Sequence, residues 1–367
     1  MRTIYHYCVR TVSLFVLILV LTCCAVTLPI RDKATGLVVP DSIAEITTVD
    51  IAGIKNWLVI RGRNIHNPVL LFLHGGPGSP ELPLLRHFNE PLEDEFVLVY
   101  WEQPGTCKSY SPDIRGSDLT VDKFVDYTKG IIDYIRARFG QDRVYVMGHS
   151  WGSALAVLTA KKYPEVLHAV IGVGQVVDIV AGEIASFRLA LSRAREEKNE
   201  TAISELAGLG DPPAYVSARD DSYDGFMTKR KWALYFGLAL RGKRSYRHYE
   251  RYYFDATEYT IFDLPAYIRG RRLTGRTLGR DVVNIDLTAQ APRLTVPVYF
   301  MMGRHDAISA NADFDEYVER LSAPKKEVVW FEHSAHFPLF EEPSRFNAEV
   351  IRIMKQTENA DTIAPPR

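Results

Sequence analysis

The chain has 367 residues, of which 47% are hydrophobic, and its formal net charge is −1 at pH 7. A chain of this length and apolar content can bury a sizeable core, in one large domain or in a core domain that carries an inserted one. The near-zero net charge gives the whole molecule no bias toward nucleic acid.

Residues 1–30 are predicted to be a targeting segment. A basic start precedes an apolar run over residues 11–26, which is the order of features in a secretory signal peptide. The apolar stretch is about 20 residues long, so a retained membrane anchor is an alternative. Cys23 or Cys24 follows a sequence similar to a bacterial lipobox, where a lipid would be attached. We therefore expect an exported or membrane-associated protein.

Residues 40–175 are predicted to form the first part of an α/β core. After a hairpin that turns at Gly53, continuous apolar runs such as Val69–Leu73 end in glycine or proline, which is typical of strands buried in a parallel sheet. Apolar residues at three-and-four spacing predict a helix between Thr120 and Gly140, which would cap its two ends. This alternation predicts a mostly parallel sheet with helices on both faces.

The alternation stops at residues 176–290, which we predict to be an inserted helical lid. Within the lid, residues 228–280 hold 13 Lys or Arg against 4 Asp or Glu and many aromatic residues. Such a stretch also suggests a nucleic-acid surface, but no binding motif accompanies it, so we expect no nucleic-acid partner. Strand patterns resume in residues 291–356, the second part of the core. The polar residues 357–367 predict a flexible tail.

The sequence MGHSWGSALAV, residues 147–157, contains the pattern G-x-S-x-G around Ser150. The serine stands where a predicted buried strand becomes a predicted helix. In that context the pattern places an exposed serine hydroxyl on a sharp turn. Gly148 and Gly152 leave space for the turn. We therefore predict that Ser150 is a nucleophile.

A serine hydroxyl needs a base that is close in space. The later strands offer candidates in the chain order Ser, Asp, His that this pattern predicts, since Asp306 follows one strand and His336 lies in the loop after the last. His336 would take the serine proton, and Asp306 would orient the imidazole. Asp178 is the alternative acid. The spacing of His333 and His336 also fits a metal pair, but no further ligand cluster follows, so we expect no metal and no cofactor.

Two backbone amides must stabilise the negative oxygen that forms during attack by Ser150. Trp151, the residue after the serine, would supply one amide. The glycine-rich loop HGGPG, residues 74–78, would supply the other from Gly76, with Gly75 as the second choice. His74 is expected to order this loop.

The motifs HGGPG, GHSWG, GRHD and HFPLFEEP, in this order, resemble those of the α/β-hydrolase fold, and more closely those of the proline iminopeptidase group of serine peptidases. The resemblance spans about residues 45–355. It implies an aminopeptidase that holds the free amine of its substrate with acidic residues, chiefly in the lid. Glu102 and Glu183 are the candidate substrate-binding residues. Glu102 stands where the family's D-Q-R-G-x-G-x-S loop has Asp, and the family's W-x-x-W-E lid motif is absent.

Our first hypothesis is a serine hydrolase with an acyl-enzyme mechanism, an aminopeptidase of the proline iminopeptidase type acting on a peptide with a small N-terminal residue. An esterase, lactonase or amidase on a small non-peptide substrate is the alternative, because the basic lid suits a neutral or acidic substrate. A ligand-binding or sensor protein with little turnover is the alternative from another class. Each hypothesis gives the protein a small-molecule or short-peptide partner.

Overall fold

The computed structural model describes residues 25–211, 213–217, 222–309 and 312–363. Cys23, Cys24 and most of the predicted targeting segment therefore lie outside the described residues. In the part of the chain that is described, no helix combines the length and the hydropathy needed to cross a membrane.

The strands of the described residues are β1 (Ile43–Ile51), β2 (Ile54–Gly62), β3 (Val69–Leu73), β4 (Val97–Glu102), β5 (Val144–His149), β6 (Leu167–Val173), β7 (Val298–Gly303) and β8 (Lys326–Phe331). They form one sheet in the order β1-β2-β4-β3-β5-β6-β7-β8. The β1–β2 hairpin is antiparallel, as predicted, and β2 also pairs antiparallel with β4. All later neighbours are parallel.

The helices of the described residues are α1 (Leu82–Phe88), α2 (Val121–Phe139), α3 (Trp151–Lys162), α4 (Ile179–Glu196), α5 (Glu200–Ala207), α6 (Ser222–Tyr235), α7 (Arg247–Asp255), α8 (Leu264–Val282), α9 (Leu287–Gln290), α10 (Ala312–Arg320), α11 (Pro338–Glu341) and α12 (Pro343–Ile363). The predicted caps of α2 are confirmed. The Thr120 side chain accepts from the backbone N–H of Lys123, and Gly140 adopts the left-handed conformation.

Two apolar clusters lie on opposite faces of the sheet. Neighbouring residues of one strand divide between them, since Leu71 belongs to the first cluster and Leu70 and Phe72 to the second, as the alternation of side chains along a strand requires. Helices α2, α3 and α10 contribute to the first cluster, and α1, α7, α11 and α12 to the second. This three-layered arrangement confirms the predicted α/β-hydrolase fold class, with a mostly parallel sheet and helices on both faces.

Helices α4 to α9 lie between β6 and β7 in the chain. Helices α4, α5 and α6 form a third apolar cluster around Phe187, Leu206 and Trp232, which also includes Ile308 from the loop after β7. This cluster packs the inserted helices together and joins them to the loop after β7.

The end of the chain differs from its prediction. Helix α12 continues to Ile363, so residues 357–363 are helical where the sequence predicted a flexible tail. The physical reason is burial on the sheet, where the Thr357 hydroxyl lies 3.5 Å from the hydroxyl of Tyr299 in β7. Thr357 is 4% exposed, and its hydroxyl donates to the carbonyl oxygen of Ile353 at 2.8 Å. The polar composition of this segment gives no sign of that contact.

Candidate active site

Ser150 lies at the junction of β5 and α3, with φ 54° and ψ −122°. A residue with a side chain pays a conformational cost at positive φ, which surrounding contacts must offset. The Ser150 N–H donates to the carbonyl oxygen of Val173 at 2.9 Å. A Cβ added at Gly148 would lie 2.0 Å from the Gly152 oxygen, and one added at Gly152 would lie 2.1 Å from the Leu73 oxygen. The two glycines of the motif are therefore required by close backbone contacts.

His336 and Asp306 are both buried, and a hydrogen bond of 2.9 Å joins His336 Nδ1 to Asp306 Oδ2. Asp306 also accepts from the backbone amides of Ile308 and Ser309, at 2.8 and 3.0 Å, and from the Ser309 hydroxyl at 2.5 Å. Burial alone would raise the pKa of Asp306, but the charge of His336 and these hydrogen bonds lower that pKa to about 2. Asp306 is therefore a carboxylate at neutral pH.

The second ring nitrogen of His336, Nε2, is buried and has no hydrogen-bond partner among the described residues. Burial lowers the pKa of His336 below its usual value, although the Asp306 carboxylate opposes this shift. At neutral pH the imidazole is therefore uncharged. Because Nδ1 donates its hydrogen to Asp306, Nε2 carries the lone pair. This nitrogen is available to accept a proton.

Ser150 and His336 both lie against the carboxyl end of β6. The backbone of Ser150 is hydrogen-bonded to Val173, and a Cβ added at the next residue, Gly174, would lie 3.0 Å from His336 Nδ1. No hydrogen bond joins Ser150 Oγ to His336 in the part of the chain that is described. Such a contact is often long in an enzyme without substrate and shortens when substrate binds.

The HGGPG loop is tied to the nucleophile turn through Gln103, which the sequence analysis did not identify. His74 Nδ1 donates to the Gly75 oxygen at 2.9 Å, and His74 Nε2 accepts from the Gln103 amide at 3.2 Å. The Gln103 side chain donates to the His74 oxygen at 2.9 Å and accepts from Trp151 Nε1 at 2.8 Å. The position of Gln103 directly after β4 was the available signal, because the carboxyl ends of parallel strands meet at one edge of the sheet.

Glu81 is a second residue that the sequence analysis did not identify. One carboxylate oxygen accepts from the Gly75 amide at 3.2 Å, and the other lies 2.7 Å from His149 Nδ1. His149 Nε2 donates to the His336 oxygen at 3.0 Å. Burial would lower the pKa of His149, but the Glu81 carboxylate raises it overall. A buried ion pair thus connects the glycine loop, the nucleophile turn and the His336 loop. It also occupies the amide of Gly75, which leaves Gly76 as the better oxyanion candidate.

Ser150 opens into a cavity of about 980 Å³, counting its space open to solvent. Gly76 and Trp151 line the same cavity, so the structure brings the predicted nucleophile and both predicted oxyanion residues together. The other apolar walls come from residues of the loops after β6 and β7 and from the helices between them: Val176, Ile179, Val216, Phe226, Met227, Val282, Val283 and Ile308.

The structure distinguishes between the two candidate acids of the triad. Asp306 contacts His336, whereas Asp178 caps α4, where its carboxylate accepts from the Ala181 amide at 2.9 Å. Asp178 lines the Ser150 cavity, but it makes no hydrogen bond to His336 in the described structure. Asp306 is therefore the better candidate for the acid.

The two predicted amine-binding residues lie in different cavities. Glu183 lines the Ser150 cavity, and its carboxylate forms an ion pair of 2.7 Å with the fully buried ammonium of Lys229. Glu102 lines a different, smaller cavity with Trp57 and Tyr259. It accepts from the Tyr259 hydroxyl and from the Lys108 amide, and burial raises its pKa to about 7. The structure does not place Glu102 beside Ser150.

Comparison with known proteins shows the family to which this chain belongs. Residues 68–200 match the family model described as the α/β-hydrolase fold. The chain is 31% identical over 312 residues to a probable aminopeptidase, YbaC, from Bacillus subtilis (strain 168), and the match covers 83% of this chain and 94% of that protein. The chain belongs to the α/β-hydrolase family. The fold and these relatives identify this α/β hydrolase as an enzyme.

More distant relatives point in the same direction. This α/β hydrolase is 25% identical over 297 residues to a proline iminopeptidase from Saccharolobus solfataricus, with 78% of this chain and 84% of that protein covered. Among solved structures, a proline iminopeptidase from Mycobacterium smegmatis shares the fold with a TM-score of 0.61 and 17% identity, over 86% of this chain and 100% of that one. The resemblance to the proline iminopeptidase group is therefore confirmed.

Proposed function

We propose that this α/β hydrolase is an aminopeptidase of the proline iminopeptidase type, with Ser150 as nucleophile, His336 as base and Asp306 as the acid that orients it. The observation that carries the proposal is the arrangement at the end of the sheet. A serine on a strained turn borders a cavity, and a buried Asp–His pair at the same strand end keeps one ring nitrogen unpaired. The names of its relatives support a peptide substrate.

In this mechanism Ser150 Oγ forms a bond to the substrate carbonyl carbon while its proton passes to His336 Nε2. The carbonyl π electrons move to the oxygen, which the amides of Gly76 and Trp151 stabilise. The electrons then return, the C–N bond breaks, and His336 gives the proton to the leaving amine. Water attacks the acyl-enzyme with His336 again accepting a proton, and that proton returns to Ser150 as the acid departs.

A fluorophosphonate probe tests the nucleophile directly, because it reacts with activated serines. We expect the full-length wild type to be labelled and to hydrolyse prolyl 4-nitroanilide, and Ser150→Ala to do neither. Ser79→Ala is the matched control, since Ser79 lines the same cavity and has no proposed role, and it should still be labelled. Labelling that persists in Ser150→Ala would refute the proposal.

An esterase, lactonase or amidase is the second candidate, and one observation favours it. The acid in the cavity that would bind a substrate amine, Glu183, is already paired with Lys229. Turnover of 4-nitrophenyl acetate in a Ser150-dependent manner, without turnover of prolyl 4-nitroanilide, would select this candidate and leave the proposed triad intact.

The pH dependence follows from the pKa of His336. Protonated His336 cannot accept the serine proton, so activity falls as the pH drops through this pKa. Because burial lowers the pKa, we expect the acid limb of kcat/KM to have its midpoint below 6.5, the usual value for histidine. A pH profile of kcat/KM with an uncharged ester substrate measures it. A midpoint at or above 6.5 would show that burial does not lower the pKa of His336.

We also propose that the N-terminal segment attaches the protein to a membrane. The first described residues lie beside the segment between α7 and α8. The Val26 amide donates to the Thr257 oxygen at 2.9 Å, and the Thr27 hydroxyl donates to Glu258 at 2.8 Å. Large apolar side chains are exposed around this point: Phe254 at 85%, Ile261 at 77%, Phe262 at 56%, Leu264 at 57% and Ile268 at 57%. Clustered exposed apolar side chains are typical of membrane or protein interfaces.

Cell fractionation tests this attachment. We expect the full chain in the membrane fraction, and expect Cys23→Ser combined with Cys24→Ser to release it if a lipid is the anchor. Retention of that double variant with residues 1–30 uncleaved would identify a transmembrane anchor instead. Recovery of the wild type in the soluble fraction would refute membrane attachment.

A further inference from the structure

Two arginines line the cavity beside Ser150, Arg230 of α6 and Arg271 of α8. Within the described ranges no carboxylate lies at ion-pair distance from either guanidinium. Arg271 donates to the Tyr267 hydroxyl at 3.3 Å, and Arg230 lies 4.7 Å from the centre of the Phe226 ring. These neighbours are uncharged, so neither guanidinium is paired with a carboxylate of the described residues.

The acids of the same cavity are engaged elsewhere. The Glu183 carboxylate is 2.7 Å from the ammonium of Lys229, which is fully buried. The Asp178 carboxylate accepts from the Ala181 amide as the cap of α4. A substrate ammonium would therefore have to displace Lys229 and would face two arginines. At the position of the two arginines, the charges of the cavity therefore favour an anion over an ammonium.

Both arginines are placed near the reacting groups. A Cβ added at Gly78 of the HGGPG loop would lie 3.4 Å from the Arg271 Cα and 2.0 Å from Thr274 Oγ1, so α8 rests directly on this loop. Arg230 is close enough to His336 for its charge to contribute to lowering the pKa of that histidine, after the larger effect of burial. Both arginines therefore border the same cavity as Ser150 and Gly76.

We propose that Arg230 and Arg271 bind a carboxylate of the substrate. The planar guanidinium fork matches a carboxylate in geometry and charge. The carboxylate has two possible sources, the C-terminus of a dipeptide on the leaving-group side or an acidic acyl group on the other side. This inference rests on the proposed function, because it takes Ser150 as the nucleophile of the cavity.

Protection of Ser150 from the fluorophosphonate probe tests the inference without requiring a known substrate. We expect benzoate to slow labelling of the wild type at concentrations at which the uncharged benzamide does not. Arg230→Gln combined with Arg271→Gln should remove this difference. The matched control is Arg269→Gln combined with Arg272→Gln, which removes the same charge from exposed positions of α8 and should keep the difference.

Two substrate pairs then identify the source of the carboxylate. Alanyl-phenylalanine is compared with its C-terminal amide, and glutaryl 4-nitroanilide with its terminal carboxamide. We expect kcat/KM to favour the acid of one pair by about tenfold or more, as for a charge-assisted hydrogen bond, and the Arg230/Arg271 double variant to lose that preference through a higher KM.

The outcomes separate the two proposals. The carboxylate site would be overturned if benzoate and benzamide protected Ser150 equally, or if the protection by benzoate survived in the Arg230/Arg271 double variant. Labelling of Ser150 would still support the proposed hydrolase in either case. Failure of the wild type to be labelled at all would instead overturn the proposed nucleophile.

Discussion

Replacing Asp306 by Asn is expected to lower kcat by about 10⁴-fold with little change in KM. The side-chain amide of Asn would donate to His336 Nδ1, which would move the ring hydrogen to Nε2. That nitrogen could then no longer accept the proton of Ser150. Steady-state kinetics with the best substrate, together with a thermal unfolding curve to show that the variant is folded, would measure this effect.

Asp178→Asn is the matched control, because it makes the same change in the other candidate acid. Asn caps a helix about as well as Asp does, and Asp178 makes no hydrogen bond to His336 in the described structure. We expect this variant to keep kcat within about threefold of the wild type, since the helix cap is preserved and the Asp306–His336 hydrogen bond is unchanged. A larger loss in Asp178→Asn than in Asp306→Asn would reverse the assignment of the acid.

Replacing Gly152 by Ala is expected to destabilise the fold by about 3 kcal/mol or more, because inserted atoms in a closely packed site force backbone shifts. The added Cβ would lie 2.1 Å from the Leu73 oxygen and 2.9 Å from the His74 oxygen. Since both obstacles are backbone atoms at the end of β3, no side-chain rotation can relieve the contact. Denaturant unfolding of the purified chain measures the loss.

Gly279→Ala provides the comparison for Gly152→Ala. A Cβ at Gly279 meets nothing within 4 Å, and the residue lies within α8, where Ala is favoured over Gly by about 1 kcal/mol. This variant should be as stable as the wild type or slightly more so. Equal stability of Gly152→Ala and Gly279→Ala would mean that α3 does not approach β3 as closely as described here.

Local patterns were sufficient to predict the fold class and the candidate triad. Buried parallel strands form continuous apolar runs, so β3 was predicted at Val69–Leu73, where the structure has it. The G-x-S-x-G pattern fixed the position of Ser150 because the turn itself demands glycines. Asp306 and His336 followed from the chain order, since both come after strands of the same sheet.

The charged groups around the site were not predictable in the same way. Lys229 lies in a basic stretch that is typical of a solvated helix face, yet its side chain is fully buried because Glu183, 46 positions earlier in the chain, neutralises it. Glu81 and His149 are likewise far apart in sequence and meet only after folding. Single residues carry no periodic signal, so pairings of this kind become visible only in three dimensions.

The sequence also gave no means of separating Glu102 from Glu183. Both are acids near predicted strand ends or in the lid, and both were candidates for binding an amine. The structure turns Glu102 toward Tyr259 and Lys108 in the smaller cavity. The direction of a side chain at the end of a strand depends on the register of the sheet, which composition does not reveal.

Helix α8 packs closely on the core and so restricts how molecules reach Ser150. A Cβ at Gly270 would lie 2.3 Å from the Gly105 oxygen, and at the other end of the helix Asp281 accepts from the Val121 amide at 2.6 Å. A helix held at both ends in this way is expected to stay fixed relative to the core. The other helical wall of the cavity, α6, packs on the cluster around Trp232 and directly on α8, where the Tyr223 ring lies against Gly275 and Asp224 pairs with Arg276 at 3.3 Å. Because these contacts join α6 to the fixed α8, α6 is not expected to open alone as a gate for substrate and product.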